Sequence, residues 1–127
     1  MKVIVAGCRW ITALPFVDRA IRESGFHVTE VVSGGADGVD HLGEVWAGTH
    51  EVPLRRFPAK WSEHGKKAGP MRNEEMARYA DALVAVWDGQ SRGTADMIRR
   101  ATSHGLKVHV DRIPAPRGVH GGGGREP

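Results

Sequence analysis

Short apolar runs, each closed by a polar or glycine-bearing turn and followed by a stretch with helical spacing, recur from the first residue to about Val110. Val3-Ile4-Val5-Ala6 opens the series as a continuous run, as expected for a strand buried on both faces. Residues 13 to 24 follow with Leu14, Phe16, Val17, Ala20 and Ile21 at helical spacing and Pro15 near the start. Val28 to Val32 reads as a second strand, and Gly38 to about Thr49 as a helix with Leu42, Val45 and Trp46 on one side. Val52 to Phe57 is a strand made ragged by Pro53, which places it near a sheet edge. Residues 58 to 70 read as loop, punctuated by Pro58, Gly65, Gly69 and Pro70. Met71 to Tyr79 is a predicted helix with Met76 and Tyr79 inward, and Ala82 to Trp87, the most apolar run, a central strand. A helix over Ala95 to His104, stopped by Gly105, and a strand over Leu106 to Val110 complete the pattern.

Strand-helix repetition of this kind predicts an α/β fold with right-handed crossovers. The expected architecture is a single doubly wound, mainly parallel five-stranded sheet, in an order such as 3-2-1-4-5, with helices on both faces. Residues 1–112 form the expected domain, and 113–127, rich in proline and glycine, a flexible tail.

The 127 residues, 40% apolar and 26% charged, suit one globular domain. No apolar run reaches the roughly 18–20 residues needed to cross a bilayer, and Met1 to Gly7 reads as a strand rather than a secretory signal. Cys8 is the single cysteine, which excludes an internal disulfide framework and suits a reducing cytoplasm. The net charge is +3, and Arg112, Arg117 and Arg125 lie in or next to the tail, so part of the excess is expected outside the fold. No basic block of five or six residues occurs, which weakens the case for a dedicated nucleic-acid surface. A modest positive bias also favours an anionic small ligand, and charge alone does not decide between them. The seven histidines show no metal-ligand spacing with another His, Cys or acid, so no metal site is expected.

In doubly wound sheets, ligands collect beyond the carboxyl ends of the strands, near the switch in strand order. The turns expected there are Gly7-Cys8-Arg9, Ser33-Gly34-Gly35-Ala36-Asp37-Gly38 and Asp88-Gly89-Gln90-Ser91-Arg92-Gly93-Thr94. Glycines let the backbone bring its N–H groups close to a ligand, and a helix starting behind adds unpaired donors and partial positive charge. Ser33, Ser91 and Thr94 supply hydroxyls, and Arg9 and Arg92 supply charge-assisted donors. One such turn is only a tight strand-helix connection; three on one sheet edge favour a phosphate site. Neither a Walker A motif nor G-x-G-x-x-G is present, which argues against ATP hydrolysis and ordinary dinucleotide dehydrogenase chemistry.

Asp37 and Asp40 fall at the start of the second helix, where Asp37 reads as a cap and Asp40 as a cap or a ribose acceptor. Trp61 either stacks on a base or packs over the sheet edge. Arg72 with Asn73, at a helix start, would hold a phosphate or sugar, or Arg72 would pair with Glu74 or Glu75. Trp46 reads as core and Trp87 as a wall of the crevice, while Cys8 reads as a small residue at its turn rather than a nucleophile.

Several motifs together, Ser33-Gly34-Gly35-Ala36-Asp37-Gly38-Val39-Asp40, Phe57-Pro58-Ala59-Lys60-Trp61, Gly65 to Asn73 and Ser91 to Met97, closely resemble the YspA-like branch of the SLOG superfamily. The resemblance covers about residues 2 to 110 and implies a Rossmann-like fold that binds nucleotides or nucleotide-derived signals, ADP-ribose or NAD derivatives among them. The LOG nucleoside-monophosphate phosphoribohydrolases are more distantly similar, through Arg72-Asn73-Glu74-Glu75-Met76, Ala80-Asp81-Ala82 and Gly93-Thr94. That similarity keeps the family arginine as Arg72, the one residue it offers for catalysis. The family lysine falls on Asn73 and the catalytic glutamate on Met97, beside Asp96.

The resulting expectation is a module that binds a nucleotide or nucleotide-derived ligand. Cleavage of a nucleotide N-glycosidic bond, using Arg72 with Asp88 or Asp96, and single-stranded nucleic-acid binding are the alternatives. The superfamily resemblance also implies a homodimer or higher oligomer.

Overall fold

The computed structural model of the protein describes residues 1–114. Five strands form one all-parallel sheet in the order β3-β2-β1-β4-β5, as the repeating pattern predicts. They are β1 (Lys2–Gly7), β2 (Glu30–Ser33), β3 (Leu54–Arg56), β4 (Ala82–Trp87) and β5 (Lys107–Arg112). The helices are α1 (Leu14–Ser24), α2 (Val39–Thr49), a single turn α3 (Trp61–His64), α4 (Ala68–Tyr79) and α5 (Arg92–Ser103).

The inner strands are apolar without interruption because both faces of the sheet are covered. Val3, Val5, Val31, Val84 and Val86 pack under α1 and α2 with Val17, Ala20, Val39 and Trp46. Ile4, Val32, Leu83 and Ala85 point the other way, against Met76 and Ala77 of α4 and Met97 and Ala101 of α5. Trp46 is core, as expected, and its indole N–H donates to Asp18 at 3.1 Å.

Several boundaries differ from the sequence reading. The stretch 58–70 is not loop throughout: α3 and a 3-10 turn over Gly65–Lys67 lead into α4, which begins at Ala68 rather than Met71. Pro70 fits in the first turn of α4 because an amide there has no intrahelical acceptor to lose. Helix α5 starts at Arg92, three residues before Ala95, with Ser91 as its cap residue. Strand β3 shrinks to three residues at the edge, with Pro53 just outside it and the Pro53 carbonyl accepting Val31 N–H at 2.9 Å. Strand β5 continues to Arg112, so this arginine belongs to the sheet and not to the tail. Ile113 is also packed, in the core under α1, and its amide donates to the Trp87 carbonyl at 2.8 Å. The remainder of the expected tail, 115–127, lies outside the described residues.

Candidate functional site

Because β2, β1 and β4 are adjacent and parallel, the turns that follow them emerge at one edge of the sheet. The first and second turns touch. Val39 N–H, the first amide of α2, donates to the Cys8 carbonyl at 3.1 Å. Gly38 has φ +76°, and a Cβ there would come within 2.3 Å of the Cys8 carbonyl oxygen and 2.5 Å of Arg9 Cα. Glycine meets both demands, a left-handed backbone and a direct backbone-to-backbone approach. The first turn meets the third through Cys8 N–H, which donates to Val86 O at 3.2 Å, and through the Trp10 indole, which donates to Asp88 at 3.0 Å.

In the second turn, polar side chains mostly serve the turn. Ser33 is fully buried; its hydroxyl donates to Glu44 at 2.8 Å and accepts Gly35 N–H at 3.0 Å. Asp37 stays exposed and provides no cap bond to α2, whose cap residue is Gly38. Asp40 is 6% exposed, and its Oδ2 accepts Ala36 N–H at 3.3 Å. Burial pushes its pKa up to about 6, although Ala36 N–H and the positive charge of Arg72 oppose that rise.

Helix α4 delivers Arg72 to this turn. Its Nη1 donates to the Gly34 carbonyl, and its Nε donates to Asn73 Oδ1 at 3.0 Å. A Cβ on Gly34 would lie within 2.4 Å of Arg72 Nη1 and 3.0 Å of Asp40 Oδ2, so the guanidinium and the carboxyl flank one glycine. Pairing of Arg72 with Glu74 or Glu75 does not occur; Glu74 is taken by Arg78, Arg100 and His104. Burial lowers the Arg72 pKa, Asp40 raises it, and Arg9 lowers it again. Two guanidiniums therefore repel across this edge, a field that an anion would relieve. Asn73 ties the arrangement to the third turn, since its amide donates to Gly93 O at 3.3 Å and to Asp96 at 2.9 Å.

The third turn is partly filled by its own carboxylate. Asp88 Oδ1 accepts Gln90 N–H at 2.8 Å and Ser91 N–H at 2.9 Å. Burial alone would raise the Asp88 pKa, but the bonds from Trp10, Gln90 and Ser91 outweigh it and hold it low. The next amides lie at the start of α5, where Arg92 and Gly93 are exposed and a Cβ on Gly93 would meet nothing within 4 Å. Ser91 Oγ and Thr94 Oγ1 lie 3.2 Å apart, with Thr94 buried. Trp87 donates its indole N–H to Ser91 O at 3.1 Å and carries the Arg112 guanidinium 5.5 Å from its ring centre. Arg112 also packs on Gly89, which adds a cation beside the third turn. The sequence reading missed this residue; the signal lay in the topology, where Arg112 falls in register with Trp87 at the strand end.

Cys8 is fully buried, and burial, then the charge of Asp88, pushes its thiol up to about 12, so it packs rather than attacks. Met97 is buried in the core below α5. Asp96 turns toward α4, and its carboxylate is shared by Asn73, Arg99 and Arg100. Trp61 stands apart from the turns: it is 53% exposed on α3, with its ring over Gly69. It takes no part in lining the small cavity, about 40 Å³, beside Arg72. Such a volume is close to one water, so a nucleotide would lie across the sheet edge and not within this recess. No described helix is long and apolar enough to cross a membrane.

A five-stranded parallel sheet in this order, covered by helices on both faces, defines a Rossmann-like α/β protein. The chain belongs to the YspA, cpYpsA-related SLOG family, which it matches over residues 1–64. The family is associated with nucleotide-related binding or processing in general. The Gene 61 protein of Mycobacterium phage D29 is 42% identical over 84 residues, covering 61% of this chain and 67% of that relative. No solved structure matches the chain.

Proposed function

We propose that the protein binds a nucleotide or nucleotide-derived ligand, of which ADP-ribose and NAD derivatives are examples, at the carboxyl edge of the sheet. The observation that carries this reading is Arg72, anchored on Gly34 and Asn73, facing the charge of Arg9 and linked through Asn73 to the start of α5. A phosphate there would take charge-assisted hydrogen bonds from the arginines and from the first amides of α5. Asp40 flanks Gly34 beside the Arg72 guanidinium and would serve as acceptor for a sugar hydroxyl.

Binding is favoured over N-glycosidic cleavage because Met97 is buried at the position of the LOG glutamate, and three partners hold the neighbouring Asp96 carboxylate. Isothermal titration against nucleoside monophosphates, ADP-ribose, NAD and cyclic nucleotides is expected to find a micromolar ligand. Arg72→Ala should weaken it roughly tenfold to a hundredfold, the worth of hydrogen bonds to a charged group. A folded protein that binds none of these, or an Arg72→Ala variant that binds as tightly, would exclude this site. Release of free base in the same mixtures would convert the reading to hydrolysis.

A further inference from the structure

A groove of about 580 Å³ runs along the exposed side of α4, lined by Lys66, Lys67, Pro70, Met71, Arg78 and Arg100 with Glu74 and Glu75. Its volume is that of a ligand site. Met71 and Glu75 also line the recess that contains Arg72, so groove and recess adjoin across these two side chains. Over the two together, the lining carries the cations Lys60, Lys66, Lys67, Arg72, Arg78 and Arg100 and the carboxylates Glu74 and Glu75. Arg100 is also held by Asp96 and Arg72 faces Asp40, so the uncompensated charge lies on the lysines. Glu74 is already bound by Arg78 and Arg100, whereas Lys66 and Lys67 are exposed and form no ion pair among the described residues.

The unspent aromatic residue of the sequence lies at the same place. Trp61 rests on Gly69, between Ala68 of the recess and Pro70 of the groove, and more than half of it is open to solvent. Met71, 42% exposed, continues the apolar surface. From Lys67 to Arg78 the helix axis advances roughly 16 Å, which exceeds the reach of a single phosphate group. An exposed indole beside a cationic, partly apolar channel is the arrangement that stacks one base and tracks the backbone that joins it to the next.

Building on the phosphate site at Arg72, we propose that the groove is a second subsite and that the ligand class is an oligonucleotide of at least two linked nucleotides. The first phosphate is held at Arg72, the second base stacks on Trp61, and the connecting and following phosphates face Lys66 and Lys67. A free dinucleotide and the end of a longer single strand share this chemistry, and chain length separates them.

The test measures affinity by fluorescence anisotropy and titration for mononucleotides, dinucleotides, hexanucleotides and 20-residue single strands of DNA and RNA. Dinucleotides should bind at least tenfold more tightly than the matching mononucleotide. Trp61→Ala, and separately the exposed pair Lys66→Glu with Lys67→Glu, should remove most of that gain and leave mononucleotide affinity unchanged. A plateau at two nucleotides identifies a free dinucleotide, and continued gain with a steep salt slope identifies a longer strand. Equal affinity for one and two nucleotides, with Arg72-dependent mononucleotide binding intact, overturns the second subsite alone. Failure of every nucleotide to bind overturns both readings. If Trp61→Ala splits a dimer and leaves the length dependence unchanged, the groove is a contact between copies of the chain and the proposal is wrong.

Discussion

Replacing Asp40 with asparagine probes the balance of charge at the sheet edge. Asp40 is almost fully enclosed, and its pKa is pushed from an ordinary 3.8 to about 6 by burial, despite Ala36 N–H and Arg72. A folded-state value above the unfolded one means that folding takes up a proton between these limits. The cost is absent below about pH 4, grows as pH rises through the interval, and is complete above about pH 6. Two pH units correspond to roughly 3 kcal/mol, an order-of-magnitude figure for the charge penalty at neutral pH. Asparagine keeps an oxygen for Ala36 N–H and discards the charge. The Asp40→Asn variant should therefore be more stable than the parent by up to ~3 kcal/mol at pH 7.5, and by only about 1 kcal/mol at pH 4.5. Urea unfolding of both proteins at the two pH values measures the difference, and taking the difference cancels the seven histidines and other shared groups. A stability difference that is the same at both pH values, or a loss at pH 7.5, would refute the reasoning.

Two further perturbations address the turns. Gly38→Ala places a methyl group against the Cys8 carbonyl and Arg9 in a left-handed backbone, and should cost about 2 kcal/mol or more by urea unfolding; a cost below about 0.5 kcal/mol would mean that the two turns part easily. Asp88→Ala strips the acceptor from Gln90 N–H, Ser91 N–H and the Trp10 indole, at a cost of roughly 2–3 kcal/mol near pH 7. Since the Asp88 pKa is lowered on folding, its contribution is present above the ordinary carboxylate range and is lost as pH falls through the folded value. Thermal unfolding should thus separate parent and Asp88→Ala clearly at neutral pH and bring them together in strong acid.

Much of the frame is legible in the order of residues. Uninterrupted apolar runs such as Val3 to Ala6 and Ala82 to Trp87 mark strands covered on both faces. That requirement together with parallel crossovers narrows the fold to a few doubly wound sheets, of which the observed order is one. The irregular stretch 58–70 misleads a local reading because proline and glycine signal turns, while a helix accepts both in its opening residues. Lys67 and Arg112 show the same limit from the charged side: neither carries a local pattern that states which surface it meets.

At the site, residue type tells which groups are able to hold a phosphate, and chain order tells that Ser33, Gly7 and Trp87 end adjacent strands. Partner choice is a tertiary decision. Arg72 reaches Gly34 across 38 positions, Asp88 consumes two amides of its own turn, and Asp96 commits to Asn73, Arg99 and Arg100. Hydrophobic periodicity records which side of an element is buried, because burial acts on each segment separately. A hydrogen bond depends on the angle and distance at which two helices and a turn meet, and only the packed chain sets those.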